Sequence, residues 1–304
     1  MNGIDLFLAL TANFAWGFNF IAGKIGAGEF QPLFFTSIRF LFLLILMLPW
    51  LKPARGYMIP LLRVAFFLGV LHFGMIFIGL NAGGNIASIA ITTQLYVPFS
   101  AVLAAVFLRE RISLIKIIAI TIAFAGVMLI GFDPIVFNHI DAILWVTAAA
   151  MMMAIATILM RQCPNLGVFR LQAWIALVAM PSLFILSLIF ESDHMEIIKA
   201  AEIKDFWAPL YSAVGASVVG HGIVYYLLGR YPVSTVAPLT LLAPILASFF
   251  GVLLLGDELG WKLIVGGAMT LFGILLISIH PELVTVKLKK YLGMRKELSE
   301  TADR

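Results

Sequence analysis

Hydrophobic positions in this chain come in long runs, and polar positions come in short breaks between them. Ten predominantly apolar segments stand out, at residues 4–26, 33–51, 61–80, 86–108, 113–131, 141–160, 170–190, 207–228, 234–255 and 261–279. A helix crossing the ~30 Å hydrocarbon core of a bilayer needs about 20 mainly apolar residues. Each run is long enough, so the pattern predicts an all-α polytopic membrane protein with ten transmembrane helices. The breaks, among them KPARGY, NAGGN, FDPIVFNHID, RQCPN and GRYPVS, carry the Gly, Pro and polar residues expected of turns. The longest, ESDHMEIIKAAEIKD at 191–205, has room for a short surface helix, and after His280 the chain reads as a basic solvated tail. MNGIDLFLAL lacks the positive start of a signal peptide, and its apolar run continues past residue 20, so it reads as a retained membrane helix.

Composition agrees. Of 304 residues, 62% are hydrophobic and 12% charged, with mean hydropathy +1.06. Soluble domains carry about 25% charged residues, so this chain has roughly half the charge needed to face water. The net charge of +4 comes from loops and tail, with no basic patch of domain size, so no nucleic-acid partner is expected. Cys163 is the single cysteine, which excludes an intrachain disulfide or a CxxC metal site. Its place beside Arg161 and Pro164 leaves both a reactive thiol and an inert loop residue open.

Charge placement sets orientation. With the N-terminus on the cytoplasmic side, 15 of the 20 Lys and Arg residues fall on that side; the others are Lys24, Arg39, Lys199, Lys204 and Lys262. The positive-inside rule therefore predicts that both termini are cytoplasmic.

The chain also repeats itself. SIAITTQLYVPFSAVLAAVFLRERISLIKIIAITIAFAGVMLI, from Ser88, parallels TVAPLTLLAPILASFFGVLLLGDELGWKLIVGGAMTLFGILLI, from Thr235. Five spans make up each half, and five is odd, so the second copy must enter the membrane from the opposite side. The basic LRERISLIK loop then faces the cytoplasm and the acidic LGDELGWK loop faces outward. Residues 1–134 and 135–280 are expected to form two inverted five-helix repeats, followed by a tail at 281–304. Inverted repeats characterise secondary transporters, which bind substrate near the midplane and alternate access. One chain holds both halves, so a monomer is expected. Pro98 in the fourth span, and Pro238 and Pro244 in the ninth, predict helix breaks at related places.

These motifs resemble those of the ten-helix EamA branch of the drug/metabolite transporter superfamily. The likeness rests on FAWGFNFIAGKIG, PLFFTSIRFL and the paired loops LRERI and GDEL, and it spans residues 4–280. GIVYYLLGRYPVSTVAPLTLLAPILAS is similar to the bacterial O-acetylserine and cysteine exporters. The resemblance implies an inner-membrane carrier that exports amino acids or related small metabolites and needs no cofactor.

Few polar side chains lie inside the spans, and an ionisable group there should face the bundle interior or water. Arg39, His72 and His221 are such groups, and His221 shares a helical face with Ser217 and Tyr225. The histidines could carry a coupling proton or simply be hydrogen-bonded within the bundle. Asn13, Trp16 and Lys24 line one side of the first span, and Thr92, Gln94 and Tyr96 lie on the fourth. Lys24 and Arg39 would attract a carboxylate, with snorkelling to the headgroups as the alternative. No Asp or Glu falls in the centre of a span, which favours an amphoteric or anionic substrate over a cation. GFNFIAGKI has five residues between its glycines and no Ser/Thr after Lys24, so it is not an ATP-binding loop. Exchange of phosphorylated or nucleotide-linked metabolites is the alternative within transport, and a membrane-embedded enzyme lies outside it.

Overall fold

The computed structural model describes residues 1–108, 114–163, 166–231 and 233–278; the LRERI loop and the basic tail lie outside these. Among the described residues every regular element is helical. Ten helices are long and apolar enough to cross a membrane. They are α1 (Gly3–Phe30), α2 (Pro32–Trp50), α3 (Met58–Asn81), α4 (Ile86–Phe107), α5 (Leu114–Gly131), α6 (Ile140–Met160), α7 (Val168–Phe190), α8 (Ile203–Leu228), α9 (Pro238–Leu255) and α10 (Trp261–Ser278). Large apolar side chains such as Phe7, Phe107, Phe190 and Leu253 point outward, as lipid-facing residues do. The chain is a multi-pass membrane protein. His194–Ala200 forms the short surface helix.

Local chemistry sets the helix ends. Asn2 Oδ1 accepts the Asp5 N–H at 2.7 Å and caps α1, and Asn85 Oδ1 accepts the Ser88 N–H at 3.1 Å and caps α4. The α3–α4 turn needs Gly83 and Gly84, whose φ values of 111° and 75° disfavour any side chain. The end of the bundle that holds the N-terminus is called the near end below.

Inter-helix pairing follows one rule. Helix α2 packs on α7 and α5 on α10; α1 packs on α8 and α9, and α6 packs on α3 and α4. Exchanging α1–α5 with α6–α10 turns each of these pairings into another on the same roll. At the α5–α10 crossing the rule holds residue by residue. A Cβ on Gly126 would lie 2.5 Å from Gly266 O, and a Cβ on Gly273 would lie 2.6 Å from Ala119 O. Gly126 and Gly273, like Ala119 and Gly266, are separated by the same interval as Ser88 and Thr235. The two helices approach backbone to backbone, as small residues allow in membranes, and Thr270 Oγ1 sits between Gly266 O at 2.8 Å and Ala123 O at 3.3 Å.

Both halves also break their helices at matched positions. In α3, Ala65–His72 is π-helical, and in α8, Ser212–Gly220 is π-helical. Helix α4 is interrupted between Thr93 and Tyr96, ahead of Pro98, and Ala237–Leu241 at the start of α9 is a 3₁₀ turn ahead of Pro244. Proline lacks the N–H that would bond four residues back, so the carbonyls of Gln94 and Thr240 lose their usual helical donors.

The far end is the tied end. The Glu191 carboxylate accepts the N–H groups of Leu33 at 2.7 Å and Phe34 at 2.9 Å, closing the start of α2. Asp257 Oδ2 accepts the Ile86 N–H at 2.6 Å, closing the start of α4, and Asn85 Nδ2 donates to Glu258 O at 2.8 Å. Beneath these lies a dense aromatic core that includes Phe30, Phe34, Phe35 and Phe77. At the near end, Tyr231 Oη donates to Asp5 Oδ2 at 2.6 Å.

Candidate functional site

A cavity of about 420 Å³ occupies the middle of the bundle. Its wall is drawn from α1, α2, α3, α4, α6, α7, α8 and α9, and it reaches helix ends at Met160, Val168 and Leu228 on the near side. Phe20 and Phe73 on its wall pack in turn against the aromatic core. The helix breaks supply much of the polar wall, because Gln94, Thr240, His72, Ser217 and His221 lie on or next to them. Interrupted helices are tolerated at membrane depth where they line a cavity.

Arg39 dominates the site. It is 1% exposed, and its Nη2 donates to Ser217 Oγ at 3.0 Å, while Nε and Nη1 have no hydrogen-bond partner. Rings of Phe40, Phe73 and Phe77 lie 4.9, 4.4 and 5.4 Å from the guanidinium carbon. Such contacts return about 0.5–2 kcal/mol each, whereas burying an ion costs several kcal/mol even after relaxation. Two of its three nitrogens are thus held away from water with aromatic faces but no acceptor. Among the described residues lining the cavity, Arg39 carries the one permanent charge.

Ser217 gathers the neighbours. Gln172 Nε2 donates to Ser217 O at 2.9 Å, and Ser217 Oγ donates to Ser212 O at 3.2 Å. Ser212 Oγ donates to Asn19 Oδ1 at 2.7 Å. Gln172 is 7% exposed and its Oε1 has no partner. The π segment shapes this cluster, because its backbone bonds reach one residue further back than in an α-helix, as from His221 N–H to Ala216 O. Ala216 O likewise receives Trp16 Nε1–H at 3.1 Å and His221 Nδ1–H at 3.0 Å. Gly220 leaves the space that the Trp16 indole fills.

Both histidines have fixed tautomers. A carbonyl can only accept, so the bonds of His72 Nδ1 to Ala149 O at 2.8 Å and of His221 Nδ1 to Ala216 O place the proton on Nδ1. Nε2 is the nitrogen left to accept in each. Trp16 packs edge-on against His221 at 5.3 Å.

Of the residues singled out from sequence, Trp16, Arg39, His72, Gln94, Tyr96, Ser217, His221 and Tyr225 all lie on the cavity wall. Asn13, Lys24 and Thr92 do not line it. Asn13 Nδ2 donates to Ala9 O in its own helix at 2.7 Å, and Thr92 Oγ1 is buried without a partner. Lys24 Nζ donates to Gly84 O at 2.7 Å and ties α1 to the α3–α4 turn. Sequence reasoning passed over Gln172 and Asn19. Gln172 lies five residues into its helix, where an amide looks interfacial, and Asn19 sits off the face that holds Asn13 and Lys24. The available signal was that each is an amide within an apolar run, Gln172 the single one in its helix and Asn19 the second in its own after Asn13.

Cys163 is buried near the near-end mouth, and burial pushes its thiol above the usual range. That favours the inert reading of this residue.

Comparison with known proteins places this architecture. The model of the EamA-like transporter family matches the chain over residues 3–132 and 141–279. Two proteins named as probable amino-acid metabolite efflux pumps, from Salmonella typhimurium and Escherichia coli, are 28% and 27% identical to it, over 90% of this chain and 94% of theirs. An uncharacterised transporter of Bacillus subtilis is 23% identical over 87% of this chain and 93% of its own. A solved crystal structure shares the fold with a TM-score of 0.61 at 14% identity, covering 91% of this chain and 96% of that one. The chain belongs to the EamA-like transporter family.

Proposed function

We propose that this protein is a secondary active exporter of the inner membrane, carrying small amino-acid metabolites of the cysteine or O-acetylserine kind by alternating access. The observation that carries this reading is Arg39, a buried guanidinium with two unpaired donors on the wall of the central cavity. An incoming carboxylate supplies the missing partner, and charge-assisted hydrogen bonds are roughly twice as strong as neutral ones. The names of the efflux-pump relatives point to the same substrate class.

The reciprocal α5–α10 contact supports the inverted repeat. Helices that meet in matched registers while running antiparallel are related by a two-fold axis across them, which here lies in the membrane plane. Residues 1–134 and 135–280 are then the two repeats. With the near end cytoplasmic, as loop charge indicates, the cavity is the inward-facing state that loads substrate for export. The competing reading, exchange of phosphorylated or nucleotide-linked compounds, fits less well, since a doubly charged phosphate would find a single cation on the described wall.

Counterflow in proteoliposomes tests the proposal. Vesicles preloaded with unlabelled cysteine, O-acetylserine or other amino acids should accumulate the labelled compound saturably. Absence of counterflow across that panel, from protein that remains monodisperse, would reject the amino-acid reading.

A further inference from the structure

Arg39 accounts for a carboxylate, but many metabolites carry one. The second unsatisfied group on the wall is the Gln172 carbonyl oxygen, buried and without a donor. Its orientation is fixed by chemistry, because Nε2 lies 2.9 Å from Ser217 O and two carbonyl oxygens cannot bond each other. The amide therefore presents an acceptor. Arg39 and Gln172 are held by the same residue, one through Ser217 Oγ and the other through Ser217 O. Unpaired donors and an unpaired acceptor are thus both held against one serine, and a carboxylate with an N–H group on the next carbon offers a partner to each.

We propose that Gln172 is a specificity-determining residue that reads the α-amino group of the substrate. This rests on the assignment of the substrate carboxylate to Arg39. Physically, an amino acid satisfies both sets of groups at once, while its des-amino analogue leaves Gln172 Oε1 buried and unbonded. A site built to bond a polar group rejects the analogue that lacks it far more strongly than an apolar pocket rejects an added one. The described wall has no Asp or Glu, so the amide oxygen is an uncharged acceptor for the substrate's ammonium group. Gln172 also has no counterpart of its own kind in the first half, where the matching helix α2 carries Arg39. The scaffold is symmetric, and the recognition set is not.

The experiment compares O-acetylserine with 3-acetoxypropionate, the same molecule without its amino group. Binding of each to the purified full-length chain is read from the ligand-induced rise in unfolding temperature, titrated to apparent affinities. Wild type should prefer O-acetylserine by at least about tenfold, the scale expected when a buried acceptor is left empty. Gln172→Leu should bring that preference close to unity, with 3-acetoxypropionate bound at least as well as before. Gln172→Met, of similar length but without a strong acceptor, should likewise bring the preference close to unity, which keeps the test decisive if the leucine variant does not fold. An unchanged ratio in the variants, or equal loss of both ligands, would overturn the role of Gln172. Wild type binding 3-acetoxypropionate and O-acetylserine equally well would overturn it too, while leaving the carboxylate site standing. If wild type binds neither compound, the Arg39 assignment fails first and takes this proposal with it.

Discussion

Arg39 Nη2 and Ser217 Oγ are 3.0 Å apart in the middle of the bundle, and that bond is the one hydrogen bond the Arg39 side chain makes among the described residues. A buried cation with so few partners adds little to stability. Replacing buried ionic groups by apolar residues of similar size is often neutral or stabilising, by about 1–4 kcal/mol. Arg39→Met should therefore unfold at an equal or higher temperature than wild type while losing at least about tenfold in transport rate, the scale of one lost charge-assisted contact. Arg39→Lys, with a charge but no planar fork, should fall between them. Thermal unfolding beside counterflow checks both; a parallel fall in stability and transport would mark Arg39 as structural.

Lys24 gives the opposite expectation. Its ammonium is spent on Gly84 O and lies off the cavity wall. Removing a charged hydrogen bond costs about 1.5–3 kcal/mol, so Lys24→Met should lower the unfolding temperature. The substrate concentration for half-maximal transport should stay within about twofold of wild type, well short of the tenfold expected per 1.4 kcal/mol of lost binding. A large rise in that concentration would return Lys24 to the substrate site.

The matched backbone contacts of α5 and α10 predict matched sensitivity. A Cβ at Gly126 meets Gly266 O, and one at Gly273 meets Ala119 O, at almost the same distance. Gly126→Val and Gly273→Val should each destabilise by about 1–3 kcal/mol, the usual cost of overpacking, and by similar amounts. Gly28→Val, where a Cβ meets nothing, is the control. Denaturation in mild detergent measures all three, and a cost confined to one helix would speak against the two-fold relation.

The ten spans were legible because bilayer thickness leaves a length signature that no packing detail can hide. Helix breaks at Pro98 and Pro244 were legible for a similar reason, since proline removes a donor wherever it sits. The π segments before Phe73 and His221 were not, because a bond to the fifth residue back has no composition of its own. With them went the setting in which Ala216 O and Ser217 O take side-chain donors from Trp16, His221 and Gln172. For Lys24 the sequence left a substrate carboxylate and the headgroups both open, because it gives depth along a helix but not which neighbour waits there; in the fold that neighbour is Gly84 O. The acidic GDEL loop was read as a marker of orientation. In the fold its Asp257 also caps α4, a long-range partnership that no local pattern announces.

That cap leads to the last prediction. Asp257 Oδ2 on the Ile86 N–H closes the far end at the start of a helix that also lines the cavity. Under the proposed alternating access this end must open, which makes the cap a contact of the near-open state. Losing an N-cap acceptor costs about 0.5–2 kcal/mol, which shifts a two-state equilibrium by roughly two- to thirtyfold. Asp257→Ala should move the population toward the far-open state, whereas Asp257→Asn, which keeps an acceptor oxygen, should move it less. The readout is an impermeant maleimide applied from either side to Thr93→Cys, a partly exposed position on the cavity wall, in a Cys163→Ser background. Cys163 itself should contribute little, since its buried thiol, held above the usual range, carries less thiolate at any given pH. Labelling from the cytoplasmic side should dominate in the parent and should shift toward the outer side in Asp257→Ala. Labelling that remains cytoplasmic in both would mean that this cap does not gate the far end.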